Sequence, residues 1–142
     1  MEYKKLQNKI VVRMDPGEEI LTEMKEIALK EQIKLAEVTA IGAVNDFTVG
    51  VYNVSEKRYY ANHFEGNYEV VSFLGTINTM SGEFYTHIHM SCGDQDGHVF
   101  GGHLNEAKVS ATLEMVITLI DGRVDRKFDE KIGLNLLHFG DK

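Results

Sequence analysis

Cysteine is nearly absent from these 142 residues. Cys92 stands alone, so no disulfide can form within the chain, and a reducing compartment is the simpler expectation. A basic excess is missing too. Fifteen Lys and Arg face 22 Asp and Glu, a formal net charge of −7, which disfavours direct contact with a phosphate backbone. No stretch approaches ~20 uninterrupted apolar residues, which excludes a membrane-spanning helix. Met1-Glu2-Tyr3-Lys4-Lys5 has no apolar signal core behind it, so the cytoplasm is the expected location. Repeats, low-complexity tracts and linkers are also lacking. What is present is ordinary for a globular protein, 43% apolar and 26% charged. The expectation is one domain over residues 1–142, burying roughly two-thirds of its unfolded surface.

Helical periodicity occurs once. Asp15-Pro16-Gly17-Glu18 reads as a helix start, with Asp15 as N-cap, Pro16 as first helical residue and Glu18 third, as in a capping box. Ile20, Leu21, Met24, Ile27 and Ala28 follow at helical spacing, and the helix should end near Gln32. Strand signals dominate elsewhere: residues 10–14, 38–41, 47–52, 58–61, 68–77, 84–91, 98–104 and 109–120. Turn signals at 53–57, 81–82, 93–97, 105–106 and 121–122 separate them. The tail from Lys131 carries Ile132, Leu134, Leu136, Leu137 and Phe139 and should pack. These signals predict an α+β domain: a mostly antiparallel, curled sheet with one amphipathic helix across it.

The sharpest local feature is His87-Ile88-His89, followed fourteen residues later by His103 after Gly101-Gly102. Residues two apart on a strand share a face. If Gly93–Gly97 is a five-residue hairpin loop, Cys92 faces His98, His87 faces His103 and His89 faces Gly101. Directly opposed Cβ atoms lie ~4.5–5.5 Å apart, so the three imidazoles would crowd one patch. Gly101 would leave room there for an ion and a small ligand. Three neutral imidazoles with an open fourth position form the ligand set of a catalytic-type zinc site, one zinc per chain. The same rings also suit copper, nickel or iron. The plain alternative is a set of polar side chains on the wet face of a sheet.

Several segments together resemble the PPC (plants and prokaryotes conserved) domain family. They are Ile41-Gly42-Ala43-Val44-Asn45-Asp46, the run Gly66 to Ile77, His87-Ile88-His89, the run Asp96 to Leu104, and the run Ala111 to Ile117. The order and spacing match from about Arg13 to about Ile120. The resemblance implies an antiparallel, barrel-like sheet with a flanking helix, assembled as a homotrimer. It implies similarity in fold to acetolactate decarboxylase, a lyase whose zinc is held by three histidines; by position the ligands here are His87, His89 and His103. In plants the domain follows AT-hook motifs, and stand-alone members carry a DNA-binding label by that association. This chain has no Arg-Gly-Arg-Pro, so direct nucleic-acid binding is not expected of it.

Three carboxylates are candidates for roles around such a metal. Glu69 could act as a catalytic general base towards a metal-activated water, and Glu114 could face the site in a catalytic role or a subunit contact. Glu106, just after His103, could orient an imidazole. Each has a bland alternative: an exposed strand-start charge, a polar-face residue and a turn residue. By parity His98 and Cys92 fall on the opposite face from the triad and are excluded as ligands, with Cys92 a small core residue. Asp94 and Asp96 read as turn chemistry, not a calcium loop. Arg123, Arg126 and Lys127 read as a solvated face, and His63 and His138 as surface groups. Three functions follow: a trimeric metal-site protein with a small-molecule ligand, whose chemistry in an enzyme would be decarboxylase-like lyase chemistry on a small oxo- or hydroxy-acid; a non-catalytic assembly module; or a DNA-associated protein.

Overall fold

A computed structural model describes residues 1–140; Asp141 and Lys142, part of the expected single domain and its tail, lie outside the described residues. Eight strands and one helix follow in the order β1 (Glu2–Leu6), β2 (Lys9–Met14), α1 (Ile20–Lys30), β3 (Ala36–Asn53), β4 (Arg58–Met80), β5 (Glu83–Gly93), β6 (Val99–Leu119), β7 (Asp125–Asp129) and β8 (Leu134–His138). The first six strands form one antiparallel sheet in the order β1-β2-β6-β3-β4-β5. β5 also pairs with β6, so the sheet curls back on itself. β7 and β8 form a separate hairpin. No described helix is long and apolar enough to cross a membrane.

The inner face is apolar because the alternation demands it. Ile10, Val12 and Met14 of β2 are buried against Leu113, Met115 and Ile117 of β6. Phe47, Phe73, Ile77, Ile88 and Met90 complete that layer. Helix α1 closes it with Ile20, Met24, Ile27 and Ala28. Each such large side chain contributes about 1.5–3 kcal/mol relative to exposure.

The helix begins later than the capping signal predicts. Glu19 is its N-cap, accepting from the Leu21 and Thr22 N–H groups. The capping-box bond at Asp15 does form, with the Asp15 N–H donating to Glu18 Oε2 at 2.8 Å. It closes a turn instead of a helix, because Gly17 takes φ +88° and joins the β6 edge through Val109. The Met1 ammonium pairs with both Asp15 and Glu18. At the other end Gln32 turns left-handed at φ 54°, and the Gln32 and Ile33 N–H groups reach back to Leu29 and Ala28. That is a Schellman stop centred on Gln32, where the sequence expected the helix to end, with Lys30 the last helical residue.

Several expected short strands are halves of long bent ones. Residues 38–41 and 47–52 belong to β3, 58–61 and 68–77 to β4, and 98–104 and 109–120 to β6, which starts at Val99. The turn expected at Asn105-Glu106 is a bulge. Val49 pairs with Leu104 and Thr48 with Glu106, leaving Asn105 unpaired between them. Further register shifts at residues 39–46 bend β3 against both neighbours.

Candidate metal centre

β5 sends Ile88, Met90 and Cys92 into the core, so His87 and His89 stand on the outer face. The hairpin register differs from the expected one. The loop spans residues 94–98, with Gly93 opposite Val99, Cys92 opposite Phe100 and Ser91 opposite Gly101. His89 therefore faces His103, where the sequence placed His87. The loop keeps five residues but slides by one, which moves each pairing by two and preserves parity. All three rings remain on one face.

The geometry is convergent. His87 Nε2 and His89 Nε2 lie 3.2 Å apart. The ring centroids of His103 lie 5.2 Å from His87 and 5.8 Å from His89. One nitrogen from each ring falls within 4.8 Å of the other two. Two nitrogens held tetrahedrally at ~2.0–2.1 Å from one zinc stand about 3.3 Å apart. The closest pair already has that spacing. Burial lowers the His87 and His103 pKa values from their ordinary level, and the neighbouring imidazoles lower them further. Arg126 adds to the effect at His87. Both rings are thereby favoured in the neutral form that ligates metals.

Gly101 does not serve as space for a ligand. A Cβ there would lie 2.8 Å from the Met90 carbonyl and from Ser91 Cβ, and one on Gly102 would lie 2.5 Å from the Gly50 carbonyl. The two glycines let β6 approach β5 and β3 closely enough to set His103 beside His89.

Of the carboxylates, none joins the three rings. Glu69 pairs with Ala43 and Gly93, five residues along β4 from Leu74, the neighbour of His89; that is about 16 Å of extended strand. Glu114 pairs with Arg13 and Ile41, eleven residues along β6 from His103. Glu106 accepts from Thr48 Oγ1 at 3.4 Å and helps raise the pKa of His63. Cys92 is buried, and that burial pushes its thiol up to about 12, leaving it an inert core residue. His98 sits in the hairpin loop against Asp94, whose carboxylate accepts the loop N–H groups of Asp96 and His98.

Two contributors carry no local sequence signal. Tyr59 lies edge-on to His103, its hydroxyl 3.1 Å from the His103 carbonyl and 2.5 Å from Asn105 Oδ1. It comes from β4, 44 residues away in sequence. Arg126 is half-buried rather than solvated. It donates from Nε to Asn78 Oδ1 at 3.1 Å and from Nη1 to the Asn135 carbonyl at 2.9 Å, and lies 4.7 Å over the Tyr85 ring. The alternation of the tail around Gly133 hints at the hairpin that carries it but not at where that hairpin docks.

A second cluster, built on one imidazole and two carboxylates, occupies the same face. His63 Nε2 lies 2.8 Å from Asp46 Oδ1 and 3.9 Å from Glu65, while Lys108 lies 3.5 Å from Asp46.

The sequence profile of the Plants and Prokaryotes Conserved (PCC) domain matches residues 1–121. Solved structures share the fold at low identity. A candidate DNA-binding protein from Bacteroides thetaiotaomicron is 28% identical with a TM-score of 0.94, covering 97% of this chain and 96% of its own. A plant- and prokaryote-conserved protein from Pyrococcus horikoshii is 31% identical with a TM-score of 0.85, covering 99% and 97%. A metal-containing protein from Archaeoglobus fulgidus is 29% identical with a TM-score of 0.85, covering 97% and 99%. No curated protein matches the chain.

Proposed function

The chain belongs to the Plants and Prokaryotes Conserved domain family, and within that family we propose that it is a metal protein whose His87, His89 and His103 hold one zinc ion per chain. The observation that carries this reading is the 3.2 Å spacing of the His87 and His89 Nε2 atoms with His103 beside them. The metal-containing Archaeoglobus relative supports it. Three neutral imidazoles leave a fourth position for a small ligand, and zinc bound there supplies Lewis acidity. Glu69 and Glu114 stand five and eleven residues along their strands from the rings and their partners, and Glu106 is engaged by Thr48, so none of the three is paired with an imidazole of the cluster.

The reading extends to a homotrimer. Val71 and Val99, which flank Gly93, are each more than half exposed, an apolar pair that subunit contact would cover. Direct DNA binding is not part of it, because a net charge of −7 opposes a phosphate backbone. The test is metal content. Protein purified without a chelating tag should carry one zinc per chain, and His87→Ala should lose it. Protein that is metal-free and takes up no added zinc overturns the reading. Light scattering tests the trimer separately, and a gel shift at physiological salt tests DNA binding.

A further inference from the structure

The β7–β8 hairpin lies beyond residues 1–121, the span matched by the family profile. It is nonetheless fixed at both sides of the imidazole cluster. On one side Arg126 and Val124 hold Asn78, and Arg126 covers Tyr85, two residues before His87 on the same face of β5. On the other side Tyr52 donates to the Ile132 carbonyl at 3.1 Å and Lys57 to the Glu130 carbonyl at 2.7 Å. Tyr52 is two residues after Gly50, the partner of His103. The hairpin is thus pinned beside the cluster, at Asn78 and Tyr85 on one side and at Tyr52 and Lys57 on the other.

Arg126 is the unusual group in that hairpin. A guanidinium drawn partly out of water is more often paired with a carboxylate. Here its partners are an amide oxygen, a carbonyl and an aromatic face. Neighbouring Asp125 is taken by Thr79 and Arg123. Among the described residues no hydrogen bond occupies Nη2. Among the described residues no carboxylate bears on His87 or His103 either. A divalent ion on three neutral rings, with a guanidinium beside it, would leave about three positive charges uncompensated, in a chain whose net charge is −7.

We propose that Arg126 is a ligand-binding residue and that the site takes a small dicarboxylate, one carboxylate at the imidazole cluster and the other at Nη2 of the guanidinium. This rests on the metal reading above. Tyr85, under the guanidinium, and His87 stand about 7 Å apart along β5, two residues of strand, which sets the scale of the gap between the two anchors. A chain of three or four carbons spans that gap and a single carboxylate does not. Charge-assisted bonds from a planar fork favour a carboxylate over a neutral oxygen.

Calorimetric titration of the zinc-loaded protein with succinate and with butyrate tests this, since the two probes match in length and differ in the far carboxylate. Succinate should bind at least tenfold more tightly. R126Q should bring succinate down to the butyrate level without changing butyrate affinity or zinc content, and R126K should retain part of the preference. The wild-type comparison stands even if R126Q does not fold. Equal affinity of the two probes for wild type, or a preference that survives in R126Q, overturns the proposal alone. Failure of zinc to load overturns the metal reading and this proposal together.

Discussion

His63 and the triad His87, His89 and His103 share one face of one sheet, yet the chain treats the same side chain in opposite ways. His63 is given carboxylates: Asp46 at 2.8 Å and Glu65 at 3.9 Å, with Lys108 completing an ion-pair network. Its pKa is raised, chiefly by the Asp46 hydrogen bond. The triad is given only imidazoles, partial burial and a nearby guanidinium, and its pKa values at His87 and His103 are lowered. A histidine surrounded by acids is already satisfied by protein charge, and Lys108 competes for the same oxygens. Histidines surrounded by one another, kept neutral and 3.2 Å apart at their closest nitrogens, are satisfied best by a cation from outside.

The largest expected break in this contrast is loss of the metal. H87A and H103A should each abolish bound zinc by elemental analysis, while H63A should leave it at one per chain. The next is stability. Zinc at a hundredfold excess over its dissociation constant should add about 2.7 kcal/mol to unfolding of the wild type and nothing to H103A, read by thermal denaturation. A zinc-dependent shift that persists in H103A but vanishes in H63A would transfer the site to the acidic cluster.

Gly102→Ala probes the strand approach that brings His103 in. The new Cβ would meet the Gly50 carbonyl, backbone that cannot swing aside, so a loss of about 1–3 kcal/mol is expected together with weakened zinc binding. An unchanged melting temperature would show that β6 has slack there. Tyr59→Phe removes one hydroxyl from the His103 carbonyl and Asn105 and should cost about 1 kcal/mol with zinc still bound.

The smallest effect is the pH dependence of the metal-free protein, and its two parts have opposite signs. Lowered pKa values at His87 and His103 mean that the unfolded chain takes up protons first. Their contribution is full above the ordinary imidazole pKa of about 6.5 and is lost as pH falls through the lowered values. The raised pKa of His63 works the other way: its contribution is full below that range and is lost as pH rises through the raised value. Melting curves from pH 5 to 8 should therefore show a shallower acid-side decline in H87A, with the remainder carried by His103, and should lose their alkaline-side decline in H63A. Curves that do not differ between these variants would remove the electrostatic contrast.

How much of this was legible in sequence follows from what each feature depends on. The shared face of the triad depends only on the period of a strand and on the parity of one loop, so it survived a loop displaced by one residue. The individual pairings did not survive, because they require the loop's exact start. The merging of short strands into β3, β4 and β6 was hidden since a bulge at Asn105 and a turn use the same residue types. Asp15 and Glu18 made their capping bond around a turn, so the right local chemistry pointed to the wrong element. Tyr59 and Arg126 were out of reach because both arrive through long-range docking. Family resemblance gave the mostly antiparallel sheet with one helix, which curls without forming a clear barrel, and strand patterning alone carries no distance between Glu69 or Glu114 and the rings.

The most direct test of the account is an anomalous difference map at the zinc edge from crystals of the untagged protein. The account predicts one peak per chain at about 2.0–2.1 Å from a nitrogen of each of His87, His89 and His103. A map without density there, or with its peak among Asp46, His63 and Glu65, would contradict it.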